Sequence, residues 1–100
     1  MPQEKSNTRT RSRYKKPRMY KVVIYNDDVT TMEFVVMLLE KIFHKSHEEA
    51  EKLMMDIHTG GMAVVGIYTY DMARTKVGRA TLMAQEKGFP LRIVYKPENE

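Results

Sequence analysis

The fold is decided by residues 19–33, which read MYKVVIYNDDVTTME. Residues 19–25 are mostly β-branched or aromatic, which predicts a first strand. The polar run 26–28 (Asn-Asp-Asp) ends this strand, because such side chains compete for backbone donors and favour turns. Thr30, with Glu33 three residues later, matches a capping box and predicts that a helix begins there.

Helical periodicity predicts two consecutive helices after this turn. The first continues to about residue 43 along an apolar face of helical period. A second capping box, Ser46 with Glu49, opens the next helix, and the glycine pair 60–61 ends it. The predicted inner face of the second helix consists of Ala50, Leu53, Met54 and Ile57.

The rest of the chain predicts a strand, a helix and a strand. Residues 63–68 have strand composition, Thr69 can cap a third helix, and Gly88 ends that helix before a last strand at 91–95. The inner face of the third helix is predicted to carry Met72, Ala73, Val77, Ala80 and Ala84. The order β-α-α-β-α-β predicts an α+β domain, a two-layer α/β sandwich in which a three-stranded sheet packs against three helices on one face.

The positive charge of the chain is confined to its N-terminal end. Residues 1–18 contain seven basic side chains and one acidic one, whereas residues 19–100 contain ten basic and twelve acidic ones. We expect residues 1–18 to be a disordered basic tail and residues 19–97 to be the folded domain. No aromatic interleaving or recognition motif accompanies the basic residues, so nucleic-acid binding is not indicated.

Composition argues against several other classes of protein. The longest apolar run, residues 34–39, is far shorter than the ~18 residues of a membrane span, and no secretory signal follows the N-terminus. The chain has no cysteine, which excludes disulfides and thiolate metal sites. His44 and His47 lack a third ligand for zinc, so neither a metal nor another cofactor is expected.

Polar residues at two element ends indicate a small binding cavity. Residues 26–28 leave a strand just before a helix, and His58 lies near the end of the next helix. A helix hairpin on one sheet can bring these ends together around Met32, Val35 and Met54. The acidic rim suits a small cation and the apolar floor suits one apolar side chain. The alternative, that these apolar residues are merely core, stays open at this point.

Several motifs together resemble the ClpS family, the adaptor of the bacterial ATP-dependent Clp protease. They are YKVVIYNDDVTTMEFVV at 20–36, MMDIH at 54–58 with Gly61, GIYT at 66–69, ARTKV at 73–77, and Ala84, Glu86 and GFPL at 88–91. The similarity covers about residues 19–95, and the motifs are specific in combination rather than singly. The resemblance implies the ClpS-like version of the sandwich described above.

The resemblance also implies a function and a set of site residues. ClpS proteins bind N-degrons, which are substrates that begin with Phe, Tyr, Trp or Leu, and deliver them to the unfoldase ClpA for degradation by ClpP. By this resemblance Asn26, Asp27 and His58, with Asp28 beside them, bind the free α-amino group. The side-chain pocket is formed by Thr30, Met32, Val35, Met54, Ile57 and Leu91, with Met32 as the gate against β-branched first residues. The resemblance further implies that Asp71 and Lys76 face the unfoldase. The protein is expected to be a monomeric, non-enzymatic adaptor in the bacterial cytoplasm.

Three other interpretations remain. One is a ClpS-like peptide-binding domain with a different stringency or partner. Thr31 stands where the family usually has proline at the rim of the pocket, and Met62 and Arg74 replace a usual lysine and glutamate near the surface implied to face the unfoldase. Another is a ClpS-like domain from a larger ubiquitin ligase. The third is a small acid–base enzyme that uses His58 and Asp27, although no activated nucleophile or phosphate loop accompanies them.

Overall fold

A computed structural model describes residues 16–100, so the predicted tail lies outside the described residues except for 16–18. Six elements follow one another: β1 (Met19–Tyr25), α1 (Met32–Lys41), α2 (His47–Gly60), β2 (Met62–Thr69), α3 (Tyr70–Glu86) and β3 (Arg92–Pro97). The predicted order β-α-α-β-α-β is therefore confirmed.

The three strands form one antiparallel sheet with β1 in the centre, in the order β2-β1-β3. Tyr25, at the end of β1, lies opposite Met62 of β2 and Arg92 of β3. The end of β1 thus adjoins the start of β2, which directly follows α2. This register brings the loop after β1 and the end of α2 to the same edge of the domain.

The core lies between the sheet and the helices. Val22 and Ile24 of β1 are completely buried and pack with Leu38 of α1 and Ile57 of α2. On α3 the buried apolar residues are the alanines Ala73, Ala80 and Ala84, whose spacing places them on one helical face. The two-layer sandwich predicted from the sequence is present.

One predicted core position on α3 is wrong. Met72 is 49% exposed, whereas Lys76, a residue with a charged head group, is only 7% exposed. Helical spacing explains both positions. Lys76 lies on the buried helical face that Ala73 and Ala80 form, whereas Met72 lies outside that face. The Lys76 Nζ donates a hydrogen bond of 2.8 Å to the carbonyl of Ile42.

This buried lysine has a specific structural role. Ile42 is the C-cap residue of α1, where helix geometry leaves carbonyl groups without a partner inside the helix. The ammonium also lies 5.3 Å from the centre of the Tyr68 ring. Burial, assisted by the nearby charge of Arg79, lowers the pKa of Lys76. Lys76 therefore ties α3 to the end of α1.

The ends of the elements differ from the predicted ones by one or two residues. The helix α1 is capped by Thr31, whose Oγ1 accepts from the Phe34 N–H at 3.1 Å, and not by Thr30. It ends at Lys41 rather than at about Phe43, although the segment up to Phe43 stays buried. Ser46 caps α2 as predicted, with its Oγ accepting from the Glu49 N–H. Thr69 is the N-cap residue of α3, but its side chain makes no capping bond.

None of the helices among residues 16–100 is long and apolar enough to cross a membrane. Over the same residues, no group of three or more His, Asp or Glu side chains is arranged so that it could hold a metal ion. His47 contacts two glutamates, with 2.6 Å from Nδ1 to Glu40 Oε2 and 3.5 Å from Nε2 to Glu51 Oε2. The hydrogen bond with Glu40 is the main reason why the pKa of His47 is raised.

Candidate functional site

A main-chain hydrogen bond joins the loop after β1 to the end of α2. The Asn26 N–H donates to the Gly61 carbonyl at 2.9 Å, and the Gly61 N–H donates to the Ile57 carbonyl at 2.9 Å. Gly61 has a φ of +88°, a left-handed conformation that glycine adopts without steric cost. This connection brings His58 close to the loop that begins at Asn26.

The loop itself is organised by one carboxylate. Asp27 Oδ1 accepts from the backbone N–H groups of Val29 at 2.8 Å and Thr30 at 2.7 Å. Its Oδ2 accepts from the Thr30 hydroxyl at 2.7 Å. Thr30 is therefore part of the turn, which explains why the helix cap falls on Thr31. Aspartate commonly binds backbone groups two residues on, and the Asp-x-x-Thr spacing is the sequence signal for this turn.

The same hydrogen bonds determine the charge of Asp27. Partial burial acts to raise its pKa, but the hydrogen bonds from Thr30 and Val29 outweigh that effect and lower the pKa below its ordinary value. At neutral pH the group is a carboxylate. Two carboxylate oxygens offer about four acceptor sites, of which the loop uses three, so a further donor can still bind.

The loop and the end of α2 enclose a cavity of about 210 Å³. Its polar lining consists of Asn26, Asp27, Asp28, Thr30 and His58, and its apolar lining of Met32, Val35, Met54 and Ile57. These are nine of the ten residues predicted to bind an N-terminal residue. The tenth, Leu91, is 7% exposed, belongs to the core cluster and is not among the lining residues.

The cavity is apolar at its base and rich in acceptors at its rim. Val35 and Ile57 are buried, whereas Asn26 and His58 are exposed. Ligand pockets for drug-sized molecules enclose about 300–1,000 Å³, so this one is of a size for a single side chain. The rim can accept hydrogen bonds from a cation through an amide oxygen, a carboxylate and a neutral imidazole nitrogen.

A second concavity, of about 420 Å³, adjoins this cavity. Met32 and Met54 line both. The larger one, which we call the α1–α2 groove, is also lined by Glu33, Val36, Met37, Glu40, His47 and Glu51. This groove was not predicted from the sequence, although its residues on α1 follow the three- and four-residue spacing of one helical face.

The two residues predicted to face the unfoldase lie in different environments. Asp71 is exposed in the first turn of α3. Lys76 is buried and hydrogen-bonded to Ile42, so little of its side chain is accessible to a partner.

Comparisons with known proteins place the chain among protease adaptors. Residues 15–94 match the sequence profile of the family described as ATP-dependent Clp protease adaptor protein ClpS. The ClpS adapter protein of Acetivibrio thermocellus is 52% identical over 85 residues, which are 85% of this chain and 86% of the relative. The corresponding protein of Deinococcus radiodurans is 46% identical over 96 residues, covering 96% of this chain and 85% of the relative.

A solved structure agrees with these sequence matches. Agrobacterium tumefaciens ClpS2, bound to L-phenylalaninamide, superimposes with a TM-score of 0.80 and 41% sequence identity. The match covers 83% of this chain and all of the other one. Family, length and fold all agree, and the chain therefore belongs to the ClpS family of adaptors of the ATP-dependent Clp protease.

Proposed function

We propose that this adaptor binds proteins whose first residue is Phe, Tyr, Trp or Leu and delivers them to the ClpA unfoldase of the ClpAP protease. The observation that carries the proposal is the 210 Å³ cavity, in which an acceptor-rich rim surrounds an apolar base. Asn26, Asp27 and His58 bind the α-ammonium group, and the first side chain enters between Val35 and Ile57. The similar ClpS2 is bound to L-phenylalaninamide, which carries a free α-amino group and a benzyl side chain.

The energetics of such a complex suit an adaptor that must release its cargo. Hydrogen bonds to charged groups contribute about 1.5–3 kcal/mol each. Burial of a Phe or Leu side chain adds about 1.5–3 kcal/mol. Lost rigid-body freedom costs about 4 kcal/mol or more. With three such hydrogen bonds the balance is about 2–8 kcal/mol of binding free energy, so a Kd of about 1 µM is the tight end of the expected range.

Acetylation of the peptide tests the proposal directly. A fluorescent peptide that begins with Phe is expected to bind, while its N-acetylated form binds at least about 30-fold more weakly, because it offers no cation to the rim. Fluorescence anisotropy measures both affinities, and a peptide beginning with Ser controls for the side chain. Equal binding of the free and acetylated peptides contradicts the proposal.

Delivery to the unfoldase depends in this proposal on the surface around Asp71. Replacing Asp71→Asn is expected to slow ClpAP degradation of a fluorescent reporter that begins with Phe by about twofold to fivefold, since an exposed ion pair contributes up to about 1 kcal/mol. The affinity for the peptide should stay unchanged. Glu86→Gln, at the other end of α3, is the matched control. Normal degradation with Asp71→Asn removes this residue from the docking surface.

Met32 sets the stringency of the pocket in this proposal. It begins α1, is 40% exposed and lies at the boundary between the cavity and the α1–α2 groove. Met32→Ala is expected to raise the affinity for peptides beginning with Ile or Val about tenfold, since it relieves a steric clash of the kind seen on overpacking. Anisotropy titrations with Val-, Ile- and Phe-initiated peptides measure the change. An unchanged order of affinities shows that Met32 is not the gate.

A further inference from the structure

The face of the sheet that points away from the helices is not covered by any element within residues 16–100. Its side chains follow from strand alternation, because Val22 and Ile24 point into the core and their neighbours along β1 therefore point outward. None of these outward residues belongs to the core cluster or packs against it. The register places nine of them, which we call the outer sheet face, in three rows across the strands: Met62, Tyr25 and Arg92; Val64, Val23 and Val94; Ile67, Lys21 and Lys96.

The part of the outer sheet face that β2 contributes is apolar and exposed. Met62, Val64 and Ile67 are each between 42% and 46% exposed. Val64 and Ile67 share this face although they are three residues apart, because the register shift leaves the extra residue Val65 without a partner on β1. Outward positions of an antiparallel sheet with one solvated face are usually polar. A line of exposed apolar residues at such positions is typical of an interaction surface.

The part that β1 and β3 contribute is cationic. Lys21, Arg92 and Lys96 are the charged residues of the outer sheet face, and it contains no acidic one. The Arg92 guanidinium lies 4.5 Å from the centre of the Tyr25 ring, and the Lys21 ammonium contacts the main-chain oxygen of Glu100. Among the described residues, neither Arg92 nor Lys96 forms a salt bridge. The face therefore combines an apolar strip with a cationic strip.

This pattern of charge decides among the possible occupants. A second copy of the chain brings only cations and apolar groups to the face, and residues 1–18 are themselves strongly basic. Single-stranded nucleic acid needs free aromatic rings on which its bases stack, whereas the aromatic residue of this face, Tyr25, is already stacked by Arg92. A protein segment that carries both apolar and acidic side chains complements both strips.

We propose that the outer sheet face binds an amphipathic helix of a partner protein in which Asp or Glu residues flank an apolar stripe. Neighbouring strands lie about 4.8 Å apart and a strand advances about 3.4 Å per residue, so the face measures about 10 Å by 14 Å. A helix is about 10–12 Å wide with a pitch of about 5.4 Å, so about two to three of its turns cover this area. The apolar stripe lies on Met62, Val64 and Ile67, and the carboxylates reach Arg92 and Lys96. The face shares no residue with the lining of the 210 Å³ cavity, so this inference does not depend on the proposed function.

A designed helical peptide tests the surface. The probe has about 15 residues, with leucine along one stripe and glutamate beside it, and its control has lysine in place of every glutamate. Amide chemical shifts of the full-length chain report binding, and the changes caused by the acidic probe should be confined to the three strands. The lysine peptide should bind at least about tenfold more weakly, because its charges repel those of the face.

Variants assign the binding to the two strips separately. Val64→Thr, which keeps the shape of the side chain, and Lys96→Glu should each weaken binding about fivefold, the size of one lost methyl contact or one lost ion pair. Leu82→Thr and Lys87→Glu make the same kinds of change at exposed positions on the helix side and should bind like the parent. Circular dichroism verifies that each variant keeps the fold.

Three results would overturn the proposal. Shift changes confined to residues 1–18 show that the probe binds only the basic end of the chain. Equal effects of Lys96→Glu and Lys87→Glu show that overall charge decides the affinity. The third result is that the acidic probe does not bind. Shift changes in the same strands on addition of phosphatidylglycerol vesicles then identify a lipid surface as the occupant instead of a protein segment.

Discussion

Replacing Asp27→Ala is expected to lower the affinity for a Phe-initiated peptide about 30- to 100-fold, since it removes a charged hydrogen-bonding group from the rim. The loss has two sources. The ammonium group loses a carboxylate partner, and the loop loses the three hydrogen bonds that Val29 and Thr30 donate to it. Isothermal titration calorimetry on the purified protein measures the affinity, and chemical denaturation measures the stability. An affinity within about twofold of the parent contradicts a role for Asp27 in binding.

The variant Asp27→Asn separates these two sources. Its side-chain oxygen can still accept from the two backbone N–H groups, so the loop should keep its shape while the charge is lost. We expect a loss of affinity of about tenfold, smaller than that of the alanine variant. If the two variants bind the peptide equally weakly, the loss of charge alone explains the effect of Asp27. In that case the order of the loop makes no contribution to the affinity.

The lowered pKa of Asp27 also has a consequence for stability. A carboxyl group with a depressed pKa in the folded state stabilises the fold at pH values above its ordinary pKa, and this contribution disappears as the pH falls through the lower folded value. The difference in denaturation midpoint between the parent and Asp27→Asn should therefore be constant near neutral pH. It should shrink in acid, below the ordinary aspartate pKa of about 3.9.

Replacing His58→Ala is expected to weaken binding of the same peptide about 10- to 100-fold, because one of the acceptors for the ammonium group is lost. His58 lies in the last turn of α2, is exposed and lines the rim of the cavity. Its removal should therefore leave the fold intact. Anisotropy titration measures the affinity, and circular dichroism verifies the helix content.

Two further variants make the result for His58 specific. His58→Gln restores an acceptor oxygen and should recover part of the lost affinity. His44→Gln replaces an exposed histidine in the connection between α1 and α2, away from the cavity lining, and should bind like the parent. A His58→Ala variant that binds normally shows that the imidazole does not contact the amino group.

Much of the architecture could be predicted because local signals agree with the tertiary structure. The β-branched run 22–24 becomes the buried centre of the sheet, and Ser46 caps α2 as its spacing with Glu49 indicates. The N-cap of α1 was predicted at Thr30, one residue too early, for a local reason. Two adjacent threonines compete for the role, and Asp27 draws Thr30 into the turn, which leaves Thr31 for the helix.

The composition of the cavity could be predicted, but its surroundings could not. Motif positions placed Asn26, Asp27 and His58 together, and the structure brings them to one cavity. The burial of Lys76 depends on a carbonyl group 34 residues earlier in the chain, which no local pattern reveals. The α1–α2 groove likewise arises only when two helices pack side by side, so helical spacing in either one alone does not disclose it.

The link between Asn26 and Gly61 consists entirely of main-chain atoms. Substitution at position 26 leaves it intact, since every residue except proline keeps the amide proton, and only position 61, with its left-handed backbone, requires glycine. Related sequences can therefore carry different side chains in the cavity and accept different substrates. The loop after β1 and the end of α2 keep their relative positions in each case. Selectivity can evolve in this protein without any change in the scaffold that presents it.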